Sequence, residues 1–144
     1  MVEAIFSSSE LTFLFNAILS IFIGFLIGIE RESRGKDAGI STQSLVILGS
    51  MLFTFLSLNV LSDSTTRIAA SVVSGIGFIG AGVILKDGLD VRNLTTAASI
   101  WVSAAIGMAI GFQYYIVAII TTLAAFVILR IPHMVPQGCR ADDS

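Results

Sequence analysis

The amino-acid sequence predicts an all-α fold, a polytopic bundle of about five transmembrane helices, and composition, run length and charge placement point to it together. Hydrophobic residues make up 55% of the 144 residues and charged ones only 12%, with a mean hydropathy of +0.93. A soluble domain of this size wants charge on roughly a quarter of its residues. Five apolar runs, residues 11–29, 45–61, 68–85, 95–112 and 114–131, carry no Asp, Glu, Lys or Pro, and Arg130 at the end of the last is their one arginine. A run of about 18 residues makes a helix about 27 Å long, close to the hydrocarbon thickness of a bilayer, whereas a barrel strand needs only about ten alternating residues. Residues 1–131 therefore read as a membrane domain and 132–144 as a short polar cytoplasmic tail.

The first run follows Met1, Val2, Glu3 and Ala4. With no cation before it, it lacks the positive region of a cleaved signal and is expected to be retained. Arg31, Arg34 and Lys36 follow it, Arg67 precedes the third run, Lys86 and Arg92 lie between the third and fourth, and Arg130 and Arg140 close the chain. Alternating sides put all but Arg67 on one face, which the positive-inside rule makes cytoplasmic, so the N-terminus is expected outside and the C-terminus inside. The second run starts least sharply, after Ser41, Thr42, Gln43 and Ser44. The turn at Gly111, Phe112 and Gln113 is short enough to make the last two helices an antiparallel hairpin, with Tyr114 and Tyr115 expected at the outer interface.

A net charge of −2 supplies no basic field for nucleic acid. One cysteine, Cys139, and one histidine, His133, assemble neither an intrachain disulfide nor a zinc site. No cofactor is expected.

Lipid gives helices no hydrophobic reason to associate, so small residues that allow close approach mark the packing faces. Ala70, Ser74, Gly77 and Ala81 form such a stripe on the third helix, Ala17, Ser20, Gly24 and Gly28 on the first, and Ala97, Ala104 and Gly111 on the fourth. A bundle centred on helices one, three and four is expected. Residues 75–80, GIGFIG, match the letters of a dinucleotide-binding loop, but no strand precedes them. Gly75, Gly77, Gly80 and Gly82 read instead as packing positions, or as a loosened helix beside a cavity.

At the membrane edge, Glu30 to Arg34 and Glu32 to Lys36 have the spacing of helical ion pairs. Glu30 and Arg31 read equally as a solvated extension or as an inward-facing polar site. Arg67, at a helix start where the macrodipole disfavours a cation, is expected to find compensation from Asp63 or within the bundle. The stretch 86–93 reads as a compact turn with Asn93 capping the fourth helix. Glu30, Asp87 and Asp90 are weak candidates for holding a hydrated magnesium ion.

At Gly28 to Arg31, Arg67 to Ala70, Ser74 to Val83 (SGIGFIGAGV) and Leu94 to Trp101 (LTTAASIW), the chain resembles the MgtC/SapB family. The resemblance implies a bacterial or archaeal inner-membrane protein linked to growth under magnesium limitation and, in pathogens, to survival in macrophages. It implies no enzyme, and one role it suggests is restraint of the F-type ATP synthase by contact within the membrane. By the same resemblance the polar positions to watch are Glu30, Arg31, Arg67, Arg92, Thr95 and Thr96. Many relatives carry a soluble domain after the last helix, an arginine where Ser41 stands here, and a glycine where Asn93 stands. The function expected is regulation of ion or energy homeostasis through a membrane partner, with a homodimer supported by the glycine faces. The rival is a small transporter or channel working as a dimer, lined by Asn16, Ser50, Thr54, Ser57, Ser74, Ser99 and Ser103.

Overall fold

The structure, a computed structural model, describes residues 7–60, 65–87 and 90–131. Along them run α1 (Ser8–Ser33), α2 (Ile40–Val60), α3 (Thr65–Val83), β1 (Leu85–Asp87), β2 (Asp90–Arg92), α4 (Leu94–Gly111) and α5 (Tyr115–Arg130). The first four helices are long and apolar enough to cross a membrane, and α5 is a shorter apolar helix of 16 residues. The expected turn at 86–93 is a small antiparallel hairpin in which Lys86 pairs with Val91. Its tip, Gly88 and Leu89, lies outside the described residues, as do Asp63 and the tail with His133, Cys139 and Arg140.

Helix ends follow local chemistry more than hydropathy. α1 starts three residues before the apolar run because Ser7 and Glu10 close a capping box: the Ser7 N–H donates to Glu10 Oε2 at 2.6 Å and the Glu10 N–H donates to Ser7 Oγ. It stops at Gly35, whose φ of +60° lets the Lys36 N–H reach the Arg31 carbonyl and the Gly35 N–H reach that of Glu32. Gln113 performs the same reversal between α4 and α5, with φ +64° and the Tyr114 N–H donating to the Ala109 carbonyl. α2 begins at Ile40, five residues earlier than its apolar run, because Glu32 Oε1 accepts the Ile40 N–H at 2.9 Å. The helical pairing expected between Glu32 and Lys36 is thus replaced by a cap, since α1 has ended before Lys36.

The interior mixes polar with apolar side chains, while the outer surface carries large hydrophobic ones. Asn16, Ser20, Glu30, Arg31, Gln43, Thr54 and Ser103 are buried, while Phe15, Ile18, Phe22, Phe78, Ile116 and Leu123 are exposed. That arrangement suits a molecule whose surroundings are hydrocarbon.

The centre of the bundle differs from the expected one. α2, not α3, joins the helices: α1 packs antiparallel on one side of it and α4 parallel on the other. Backbones meet at four glycines. A Cβ added at Gly24 would fall 2.4 Å from the Ser44 Cα, and one at Gly28 would fall 2.3 Å from the Ile40 Cα. One at Gly107 would meet the Ile47 carbonyl oxygen at 2.2 Å, and one at Gly111 that of Met51 at 2.7 Å. Ile23, Ile27, Ile47, Met51, Ile106 and Ile110 fill the seam between these contacts. α3 lies at the edge, meeting α4 through Ile76, Ile100 and Ala104. Of its four glycines only Gly80 has a neighbour, Ala97 Cβ at 3.7 Å; Gly75, Gly77 and Gly82 have nothing within 4 Å of an added Cβ. The last three therefore meet no close neighbour within the described chain: Gly77 and Gly82 lie on the exposed side of α3, and Gly75 faces an open gap toward α2.

Gly28→Ala or Gly107→Ala is expected to lower stability by about 1–3 kcal/mol, since a backbone must shift to admit one methyl. Gly49→Ala, where an added Cβ meets nothing within 4 Å, is expected to stay within about 0.5 kcal/mol of wild type. Reversible unfolding in mixed micelles of mild detergent and dodecyl sulfate measures all three.

Candidate functional site: a buried charged cluster where helices one, two and four meet

Glu30 and Arg31 occupy the last turn of α1 and are 4% and 3% exposed. Arg31 faces inward because Gly28 and Gly24, one and two turns earlier, bring its face onto α2, and Glu30 lies on the side of the buried Ile23 and Ile27. The solvated-extension reading of these two residues does not describe this structure. Arg31 is at the negative end of the α1 dipole, the favourable end for a cation. Its Nη2 donates to the Asp37 carbonyl at 3.1 Å and to the Thr96 hydroxyl. One guanidinium thereby ties the end of α1 to the α1–α2 turn and to the first turn of α4.

The Glu30 carboxylate faces Arg34, whose Nε lies 2.6 Å from Oε1. This is the helical pair read from the sequence. The contact is an ion pair without an aligned hydrogen bond, and neither carboxylate oxygen accepts one. Arg34 is partly solvated and also donates through Nη2 to the Arg130 carbonyl at 3.2 Å, so it links the ends of α1 and α5. Arg130 itself stacks over the Phe126 ring at 4.4 Å.

Asn93 does not cap α4 with its side chain. It sits in the left-handed region, φ +66°, and its Nδ2 donates to Asp37 Oδ2 at 2.7 Å and to the Val83 carbonyl at 3.3 Å. The left-handed backbone is one that glycine and asparagine adopt most readily, and the amide joins the hairpin to the α1–α2 turn.

Below this cluster lies a second, neutral one. Gln43 donates through Nε2 to the Ala38 carbonyl and to Ser99 Oγ, both at 3.1 Å, and its Oε1 accepts from Ser103 Oγ at 2.5 Å. Every polar atom of that amide is used in joining α2 to α4. Thr54 and Ser57 instead turn their hydroxyls back to Ser50 and Thr54 carbonyls of their own helix. Nearer the other end, Tyr115 is drawn inward rather than set at the interface, donating from its hydroxyl to Asn16 Oδ1 at 3.0 Å, while Tyr114 is exposed.

Of the polar positions singled out in the sequence, the structure brings Glu30, Arg31 and Thr96 together. Thr95 is exposed on the first turn of α4 and Arg92 is exposed in β2. Arg67 is exposed at the start of α3, at the opposite end of the bundle, and has no ion pair among the described residues. Among those residues no group of three or more His, Cys, Asp or Glu side chains gathers that could hold a metal ion. Asp37 and Gln43 are the functional-cluster residues that sequence reasoning missed. Gln43 had a signal, an amide only two residues before an apolar run; Asp37 had none beyond its place in the turn.

Residues 17–137 match the model of the MgtC family. The chain is 44% identical to the protein MgtC of Salmonella typhimurium over 121 residues, which covers 82% of this chain and 52% of that protein. It is also 44% identical to the protein MgtC of Brucella abortus over 115 residues, covering 77% of this chain and 48% of that relative. The chain thus spans about half the length of the relatives it matches. No solved structure matches it.

Thr96→Val and Gln43→Leu are each expected to destabilise the protein by about 1–3 kcal/mol, because each strands buried partners built to hydrogen-bond. Arg31→Lys is expected not to rescue, since a point ammonium cannot replace a planar fork that reaches two elements. Arg92→Gln is expected to be neutral within about 0.5 kcal/mol. Thermal unfolding in detergent orders the four.

Proposed function

The chain belongs to the MgtC family, and from that premise we propose that it regulates magnesium, ion or energy homeostasis as a non-enzymatic, multi-pass protein of a bacterial or archaeal inner membrane. In this reading it acts by binding another membrane complex, the F-type ATP synthase being the partner that the resemblance suggests.

One observation supports regulation over transport: the hydrogen bonds that buried polar groups make between helices brace those helices against each other. Gln43, Ser99 and Ser103 join α2 to α4, Arg31 joins α1 to α4, and Thr54 and Ser57 bond their own helix. Ser74, named among the lining groups of a transport path, faces outward. A conduction route needs polar groups converging on a space at mid-depth. Here Gln43, Ser99 and Ser103, and Arg31 with Thr96, converge on each other rather than on a shared space, and influence on a partner passes through the outer surface.

Expressed in a Salmonella strain lacking its own MgtC protein, the chain is expected to restore growth at micromolar magnesium, to lower ATP-driven proton pumping in inverted membranes and to co-purify with the ATP synthase. Liposomes holding the purified protein are expected to pass magnesium, protons and phosphate no faster than protein-free ones; robust saturable flux would overturn the proposal. Cysteine labelling tests the orientation, with Ser9→Cys expected to react from outside the cell and Lys36→Cys only after permeabilisation.

A further inference from the structure

α3 is the least buried of the four long helices. Its outward face carries Ala70, Ser71, Ser74, Gly77, Ala81 and Gly82, all exposed, and in their midst Phe78, 84% exposed. Beside that face a groove of about 520 Å³ runs between α2 and α3, walled by Val46, Gly49, Ser50, Phe53, Gly75 and Ile79. It is deep because Gly49 and Gly75 face open space, with nothing within 4 Å of an added Cβ. One surface therefore holds both a protruding ring and a hollow.

Two hydroxyls mark the same surface. Ser71 and Thr54 donate to the carbonyl four residues earlier, the usual way for a hydroxyl in a lipid-facing helix to be satisfied. Ser50 and Ser74 do not, and neither hydroxyl has a partner among the described residues. Ser50 is 3% exposed and lines the groove, whereas Ser74 points outward one turn before Phe78. In hydrocarbon an unpaired hydroxyl is unfavourable, and a bond to a neighbouring helix relieves it.

We propose that this face joins two copies of the chain about a two-fold axis along the membrane normal, with Phe78 and Ser74 of each copy entering the α2–α3 groove of the other. Depth decides for a second copy. Rotation about the normal leaves every residue at its own depth, so an isologous contact requires knob and hollow to lie level. Ser50 is ten residues, about 15 Å, from the start of α2, and Ser74 is nine residues, about 14 Å, from the end of α3 at that same end of the bundle. Phe78 lies about 8 Å from that end and Val46 about 9 Å. The two orphaned hydroxyls, and the ring and its hollow, are thus matched in pairs by one operation. The like charges of the two Arg67 side chains lie eleven residues, about 16 Å, along α3 from Phe78, where crossed helices have diverged and the membrane interface is wet. The proposal goes beyond the regulatory reading and stands without it.

The test uses the full chain with Cys139→Ser, co-expressed under two tags, one copy bearing Gly49→Cys and the other Ser74→Cys. Mild oxidation in native membranes is expected to give a disulfide-linked pair carrying both tags, about tenfold above a control with Leu123→Cys in place of Ser74→Cys, because Leu123 faces outward on α5. Adding Gly75→Leu is expected to remove the cross-link by filling the groove while the chain still folds, since an added Cβ there meets nothing within 4 Å; unfolding in detergent checks the fold. Cross-linking no stronger than the control, cross-links only to other membrane proteins, or indifference to Gly75→Leu would each overturn the proposal. Growth at low magnesium is not a readout, so failure here leaves the functional proposal standing or falling by its own experiment.

Discussion

The structure depends on backbone meeting backbone along α2. In a bilayer the hydrophobic effect brings helices no closer, and dispersion between closely fitted surfaces has to hold them. Gly24 and Gly28 on one side, Gly107 and Gly111 on the other, reduce the separation until main-chain atoms of α2 lie where a side chain would otherwise stand. Everything polar in the interior follows from that proximity. With α1 and α4 both drawn onto α2, the short arms of Thr96, Ser99 and Ser103 suffice to reach Arg31 and Gln43.

The same constraint explains why two ionisable residues are tolerated inside. A charge at mid-helix costs about 3 kcal/mol on insertion scales. Glu30 and Arg31 avoid most of that by sitting in the last turn of α1, where Arg34 pairs with Glu30 and the Asp37 carbonyl accepts from Arg31. The buried charges sit near the end, the Gln43 amide with Ser99 and Ser103 further in, and isoleucine and methionine between the glycine contacts.

Much of this was legible in the sequence and some of it was not, for physical reasons. Span number and the positions of charge could be read because a bilayer demands long uncharged runs whatever the packing. Gly24, Gly28 and Arg31 could be read on one face because spacings of four and three stack them along a helix. Partner choice could not. The stripe on α3 has the same small-residue pattern as those on α1 and α4, and composition alone does not tell a glycine that meets a neighbour's backbone from one that faces outward. Caps acting across a turn were equally hidden: Glu32 reaches eight residues forward to start α2, and local pairing rules assigned it to Lys36. Asn93 was assigned a cap from its residue type, whereas its left-handed backbone frees the side chain for a tertiary bond to Asp37.

That bond shows how the charged end works as a unit. Asp37 offers its carbonyl to Arg31 and its carboxylate to Asn93, so one residue of the α1–α2 turn is held from both α1 and the hairpin before α4. Arg34 extends the set to the end of α5 through the Arg130 carbonyl. Four helix ends are then coupled through two short connections, while toward the opposite end Tyr115 bonds Asn16, Phe13 packs on Phe55 and Phe15 on Tyr115. Hydrogen bonds to charged groups are roughly twice as strong as neutral ones and fix direction as well as distance. At the charged end such bonds fix the ends of α1, α2, α4 and α5 relative to one another.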